Sequence, residues 1–153
     1  MKKSLLLLLP VLMLYGCSQN TEKTGETAST EEMPKTSDYD PERGEGKFDK
    51  VEIAEKLDTK MAAGGKEVFD LKCSSCHKLT DEKLVGPGWK GVSTRHKPEW
   101  IMNFITSPDA MIDKDPKVQA QLELCLVRMP NQNLSDDDAR NILEFMRQND
   151  GVQ

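Results

Sequence analysis

Cys73-Ser74-Ser75-Cys76-His77 places two thiols and an imidazole within five residues. On a helical turn, Cys73 and Cys76 stand at i and i+3, and His77 follows four residues after Cys73. All three side chains then share one side of the backbone. A redox-active dithiol of the thioredoxin kind needs a βαβ surrounding, and no βαβ pattern flanks this stretch. A zinc site needs a second ligand pair. The chain has only two histidines and no second Cys-x-x-Cys.

The remaining chemistry is c-type haem attachment. Each thiol adds across one of the two vinyl groups on a haem edge, and His77 reaches the iron as proximal ligand. Cysteine usage agrees with one haem c. Cys73 and Cys76 go to the haem, Cys17 stands at the end of an apolar leader, and Cys125 is left over. Four cysteines in an exported chain would otherwise suggest two disulfides.

Over roughly residues 64–150 the chain resembles a class I, mono-haem cytochrome c. The resemblance implies an all-α fold around one covalently bound haem. It implies that Met129, in the loop before the last helix, binds the iron opposite His77. Pro130 disfavours a helical conformation at Met129, in keeping with a ligand on extended backbone. Competing sixth ligands are His96, otherwise a solvated loop histidine, Met111 in a proline-rich loop, and Cys125 as thiolate. Met102 and Met146 lie on helices, as core or surface residues. In Leu84-Val85-Gly86-Pro87-Gly88-Trp89, the family pattern implies that the Pro87 carbonyl accepts the Nδ1–H of His77, with Trp89 on the haem face. Trp89, Trp100 and Arg95 are candidates for the haem propionates, with plain packing or a surface charge as the alternative. Gly65, Phe69 and Phe145 fit the family's crossing of first and last helices.

Helical periodicity and caps extend the picture. A first helix is expected from about Gly64 to Cys76, with Val68 and Leu71 near Phe69. Pro98 opens a helix with Trp100, Ile101, Phe104 and Ile105 on one face, and Pro108 marks its end. Pro116 opens another, in which Val118, Leu122 and Cys125 recur at i, i+4 and i+7. That spacing makes Cys125 a core thiol. Ser135 and Asp138 form a capping box for the last helix, whose buried side is Ile142, Leu143, Phe145 and Met146. Gly151 lies just past its end.

The first part of the chain has another character. Lys2 and Lys3 precede a short apolar run from Leu5 to Leu14, too short for a permanent span. Leu14-Tyr15-Gly16-Cys17 resembles the lipobox of bacterial lipoproteins, which implies cleavage before Cys17 and lipid on that residue. Residues 18 to about 47 are rich in Thr, Ser, Glu, Gly and Lys and are expected to be a disordered tether. Its root-mean-square reach, taken from Ser18 to Ala63, is roughly 40 Å. Phe48, Val51, Leu57 and Met61 are the residues expected to pack on the domain as a strap or short helix. The division read from the sequence is 1–16 signal peptide, 17–63 lipid-anchored acidic linker and 64–153 haem domain.

The formal net charge is −5, with no basic stripe. Nucleic acid is thereby disfavoured as a partner. The expectation is an electron carrier on the periplasmic side of a membrane, held by its lipid, with redox proteins as partners and no small-molecule substrate. It would shuttle single electrons between a respiratory donor and a terminal reductase or oxidase. The wording of Lys90-Gly91-Val92, Pro98-Glu99-Trp100-Ile101-Met102 and Arg128-Met129-Pro130-Asn131-Gln132-Asn133 resembles cytochromes associated with respiratory reductases, nitrous oxide reduction among them. The alternative is a haem peroxidase or gas-sensing module with an open iron site.

Overall fold

A computed structural model describes residues 39–153. The expected signal peptide, Cys17 and the expected tether up to Asp38 lie outside the described residues. The described chain is all-helical, with no strand among the described residues.

Helix α1 (Thr59–Lys72) and the final helix α6 (Asp136–Asn149) pack along each other and form the frame. A Cβ on Gly65 would lie 2.1 Å from the Asn141 carbonyl oxygen and 2.8 Å from the Phe145 Cβ. The two backbones therefore touch at this point, and only glycine permits it. Phe69 and Phe145 meet beside the crossing with ring centroids 5.5 Å apart. The first helix starts five residues before the expected Gly64, because Asp58 caps it by accepting from the Lys60 and Met61 amides. It ends at Lys72 rather than Cys76, so the haem motif follows the helix as a separate turn.

Between the frame helices, three prolines divide the chain. Pro98, Pro108 and Pro116 each occupy the first turn of a helix, where a missing N–H costs nothing. They open α3 (Pro98–Thr106), α4 (Pro108–Lys114) and α5 (Pro116–Cys125), after a one-turn α2 (Val92–Arg95). Helix α4 replaces the loop expected after Pro108, since the proline that stops α3 also starts the next helix. Met111 is consequently a fully buried residue of α4, with its sulfur accepting from the Glu45 amide. The expected capping box of α6 is present: Ser135 accepts from the Asp138 amide at 3.1 Å, and Asp138 accepts from that of Ser135 at 3.2 Å.

The linker expected to run to Ala63 is, from Tyr39 onward, a strap laid over α3 and α6. Side chains of the domain satisfy its backbone. Asn103, fully buried, donates to the Arg43 and Phe48 carbonyls and accepts from the Phe48 amide. Glu99 accepts from the Val51 amide at 2.9 Å. Arg147, paired with the buried Glu144, donates to the Ala54 carbonyl at 2.7 Å. Phe48 and Val51 pack against the core. The strap expected from Phe48 onward is present, and over residues 39–47 polar composition read as disorder is overruled by partners 60 to 76 residues away in sequence.

Two substitutions test this frame. Gly65→Ala must push the frame helices apart and should lower unfolding stability by about 3 kcal/mol in urea titrations; an unchanged midpoint would mean that the backbones do not touch. Asn103→Ala strips three strap groups of their partner and should cost about 2–4 kcal/mol. Proteolysis should then begin within residues 39–58.

Candidate functional site

The helical turn leaving α1 is closed by a single acceptor. The Cys73 carbonyl receives the amides of Cys76 (3.0 Å) and His77 (2.9 Å). Cys73 is buried, while Cys76 and His77 are half-buried on the wall of a cleft. Burial pushes the Cys73 thiol up to about 11. A redox-active dithiol needs the opposite shift, so the thioredoxin-like reading loses its chemistry here.

The loop after the motif folds back on it. The amides of Val85 and Gly86 donate to the Cys76 carbonyl, and that of Trp89 donates to the Lys78 carbonyl. Pro87 is thereby brought to His77, with its carbonyl 2.8 Å from Nδ1. A carbonyl only accepts, so Nδ1 carries the proton and Nε2 keeps its lone pair. Burial holds the imidazole below the usual histidine range, in its neutral, metal-binding form. A Cβ on Gly86 would come within 2.5 Å of the ring, so the ring lies directly on the loop backbone. Trp89 props it from another side at 5.6 Å between centroids, and itself packs on Phe69 at 4.8 Å.

Two cavities flank this ring. One, of about 560 Å³, is walled by Cys76, Val85, Ile112, Val118, Leu122, Cys125 and Val127. The other, of about 540 Å³, is walled by Trp89, Arg95, His96, Trp100, Ile101 and Met146. His77, Pro87, Phe104, Gln121 and Met129 border both. His77 and Met129 thus stand at the junction of the cavities.

The residues fit a haem. The Cys76 thiol lies on the wall with Cys73 buried one turn before it, a neutral imidazole presents a free nitrogen, a thioether shares its cavities, and an apolar wall surrounds them. The face of α5 expected to be core is that wall. Leu122 and Cys125 are only half-buried, because what they face is the cavity. Cys125 is therefore a wall residue and not the core thiol expected.

Other expectations are redistributed. Trp100 spends its indole N–H on the buried Asp115 at 2.6 Å and offers the cavity only its ring. Arg95 borders the second cavity while donating to the Lys90 carbonyl. Met111 borders neither cavity. Met102 is buried in α3, and Met146 is buried in α6 against the second cavity. His96 is no solvated loop histidine. It is stacked on Trp100, with centroids 3.8 Å apart and planes 13° from parallel. Gln121 escaped the sequence reading altogether, since a glutamine on a helix carries no signal of facing a cavity.

Val85 and Val127 of the first cavity's wall belong to two exposed apolar segments. Leu84, Val85, Leu124, Leu126 and Val127 are all exposed, Leu126 at 82%. A bond from Lys83 Nζ to the Leu124 carbonyl ties the two segments together. Leu126 also holds a left-handed backbone, φ +60°, which a leucine adopts only at a cost of about 1–2 kcal/mol.

Comparison with known proteins agrees with this site. The Cytochrome c family model matches residues 62–150. The cytochrome c from Rhodothermus marinus superposes with a TM-score of 0.66 at 33% identity, over 69% of this chain and 90% of that one. An engineered cytochrome c from the same organism gives 0.68 at 32% identity, over 72% of this chain and 98% of that one. A form of the latter bound to a carbene intermediate gives 0.65 at 32% identity with the same coverage. No curated protein matches the chain. The chain belongs to the cytochrome c family, as a class I, mono-haem member that holds haem c covalently through Cys73 and Cys76.

Proposed function

We propose that this cytochrome is a membrane-tethered carrier, lipidated at Cys17, that shuttles single electrons in the periplasm. Its donor is a respiratory complex and its acceptor a terminal reductase or oxidase, with nitrous oxide reduction the process its wording favours. The observation that carries the proposal is the position of His77 and Met129 at the junction of the two cavities. Both side chains would hold the haem iron, and with both bound no coordination position would be left for a substrate. The haem supplies one-electron chemistry between ferric and ferrous iron, and a thioether ligand favours the ferrous form.

The chain's own residues do the rest. Pro87 orients the His77 ring through Nδ1 and strengthens its donation from Nε2. Ile112, Val118 and Leu122 exclude water from the cavity wall, which limits the reorganisation that accompanies a change of charge. The exposed leucines and valines around the cavity mouth give a redox partner an apolar landing surface. No helix among the described residues is long and apolar enough to cross a membrane; the attachment proposed is the lipid at Cys17.

The competing reading is an open iron site, as in a peroxidase or gas sensor. The carbene-bound engineered relative belongs to that side of the question. Met129→Ala separates the two readings. The ferric long-wavelength band of methionine ligation should vanish, and the midpoint potential should fall by at least about 100 mV within the ~0.8 V that axial ligands command. The reduced wild type should bind carbon monoxide poorly and the variant readily. Rapid, tight binding by the wild type would overturn the carrier reading. For the tether, Cys17→Ala should move haem stain from the membrane pellet to the soluble fraction. Retention in the pellet would contradict lipid anchoring.

A further inference from the structure

Asp115 is a buried carboxylate that the carrier reading does not use. It is fully buried, and the groups it accepts from are all neutral: the Tyr39 hydroxyl, the Trp100 indole N–H and the amides of Lys117 and Val118. A buried ionised carboxylate held by neutral donors alone costs more than an apolar side chain in the same place. Its two oxygens have different tasks. Oδ1 accepts the Lys117 amide at 2.7 Å and the Val118 amide at 3.0 Å, and so caps α5. Oδ2 accepts both the Tyr39 hydroxyl and, at 2.6 Å, the Trp100 indole N–H. One oxygen atom therefore bridges two aromatic rings.

The two rings differ in place. Trp100 is buried, with its ring on the wall of the second cavity. His96 and Phe104 pack on it with centroids 3.8 Å and 5.3 Å away. Tyr39 stands at the start of the strap and is half-buried. The bridge thus runs from the haem cavity to the outside of the domain. Indole and phenol are the aromatic side chains that most readily give up one electron. A phenol that loses an electron becomes strongly acidic and passes its proton to a base within hydrogen-bond reach. Burial first, then the Asp115 carboxylate, hold the Tyr39 phenol above its ordinary range. Tyr39 is therefore protonated at neutral pH, and its electron leaves only together with its proton.

We propose that Trp100, Asp115 and Tyr39 form a relay that supplies an electron to the haem cavity when a hydroperoxide is reduced there, leaving the radical on Tyr39. This activity goes beyond the carrier reading and does not depend on which side chain binds the iron opposite His77. The haem motif occurs once, so the chain stores one electron, whereas cleavage of a peroxide O–O bond consumes two. The first comes from ferrous iron, which becomes ferric. The second leaves the Trp100 ring at the cavity wall and is replaced from Tyr39. The Tyr39 proton moves to Asp115 Oδ2. For hydrogen peroxide, two protons from solvent complete two waters. The O–O bond and the phenolic O–H bond break, and O–H bonds form on Asp115 and on the waters.

The test uses the mature, haem-loaded protein, reduced and freed of reductant. It is treated with hydrogen peroxide in the presence of a nitroso spin trap, digested, and mapped by mass spectrometry. The expected result is trap bonded to Tyr39 in the wild type and loss of that label in Asp115→Asn. Asparagine keeps an acceptor for the rings but takes no proton. A wild type labelled only on other residues, or on none, overturns the proposal. Undiminished Tyr39 labelling in Asp115→Asn overturns it as well. In Tyr39→Phe the label should move to Trp100, and an unlabelled Trp100 there contradicts the electron path. Should Asp115→Asn fail to fold, Trp100→Phe decides: loss of the Tyr39 label supports the relay, and undiminished labelling contradicts it. Carbon monoxide binding reports separately on the carrier reading, so failure of one leaves the other measurable.

Discussion

The Cys73 carbonyl holds the amides of Cys76 and His77 in one closed turn, and the rest of the molecule is arranged around that constraint. The turn fixes two thiols and an imidazole on one side of the backbone. It hangs from the end of α1, whose position is set by backbone contact with α6 at Gly65. It is clamped from below by the 84–89 loop, which donates to the Cys76 carbonyl and brings Pro87 to Nδ1 of His77. Moving any of these parts would displace the imidazole from the junction of the two cavities.

The cofactor also explains the shape of the core. The buried apolar cluster lies mainly among α1, α3, α4 and α6 and takes Val118 from α5, whose Leu122 and Cys125 are left half-covered. A domain this small buries limited surface by itself, and a bonded macrocycle supplies the missing centre. The strap adds a second supplement at the outside. It buries Tyr39, Phe48 and Val51 partly, and it ties its carbonyls and amides to Asn103, Glu99 and Arg147. Through Tyr39, Asp115 and Trp100 the strap also reaches the stacked ring of His96. The start of the strap and the second cavity are thus joined by one chain of contacts.

What could be read in advance was local. The Cys-x-x-Cys-His spacing, the Met129-Pro130 pair, the Ser135 and Asp138 cap and the prolines at 98 and 116 each act over a few residues; the cap and the proline-led helices are found as read, and Met129 borders the same cavities as His77. Pro87 was legible through the family pattern, and its carbonyl does meet His77. The errors have a common cause in long-range contact. Residues 39–47 are polar and read as tether, yet Asn103 and Asp115 hold Arg43 and Tyr39 from far along the chain. Pro108 was read as a stop, although the same residue also starts α4. His96 in a polar loop gave no sign of Trp100, whose ring lies flat against it. Cys125 had core spacing, but the core it faces is a cofactor that periodicity does not represent.

The central claim is a covalent one, and mass answers it most directly. The mature protein, made in a host with working haem-attachment machinery, is denatured in acid, extracted to remove loose porphyrin, and weighed intact. The account predicts the polypeptide plus one haem, with the added mass lost in the Cys73→Ala, Cys76→Ala double variant. A wild-type mass equal to the bare polypeptide, with the colour left in the extract, would contradict it.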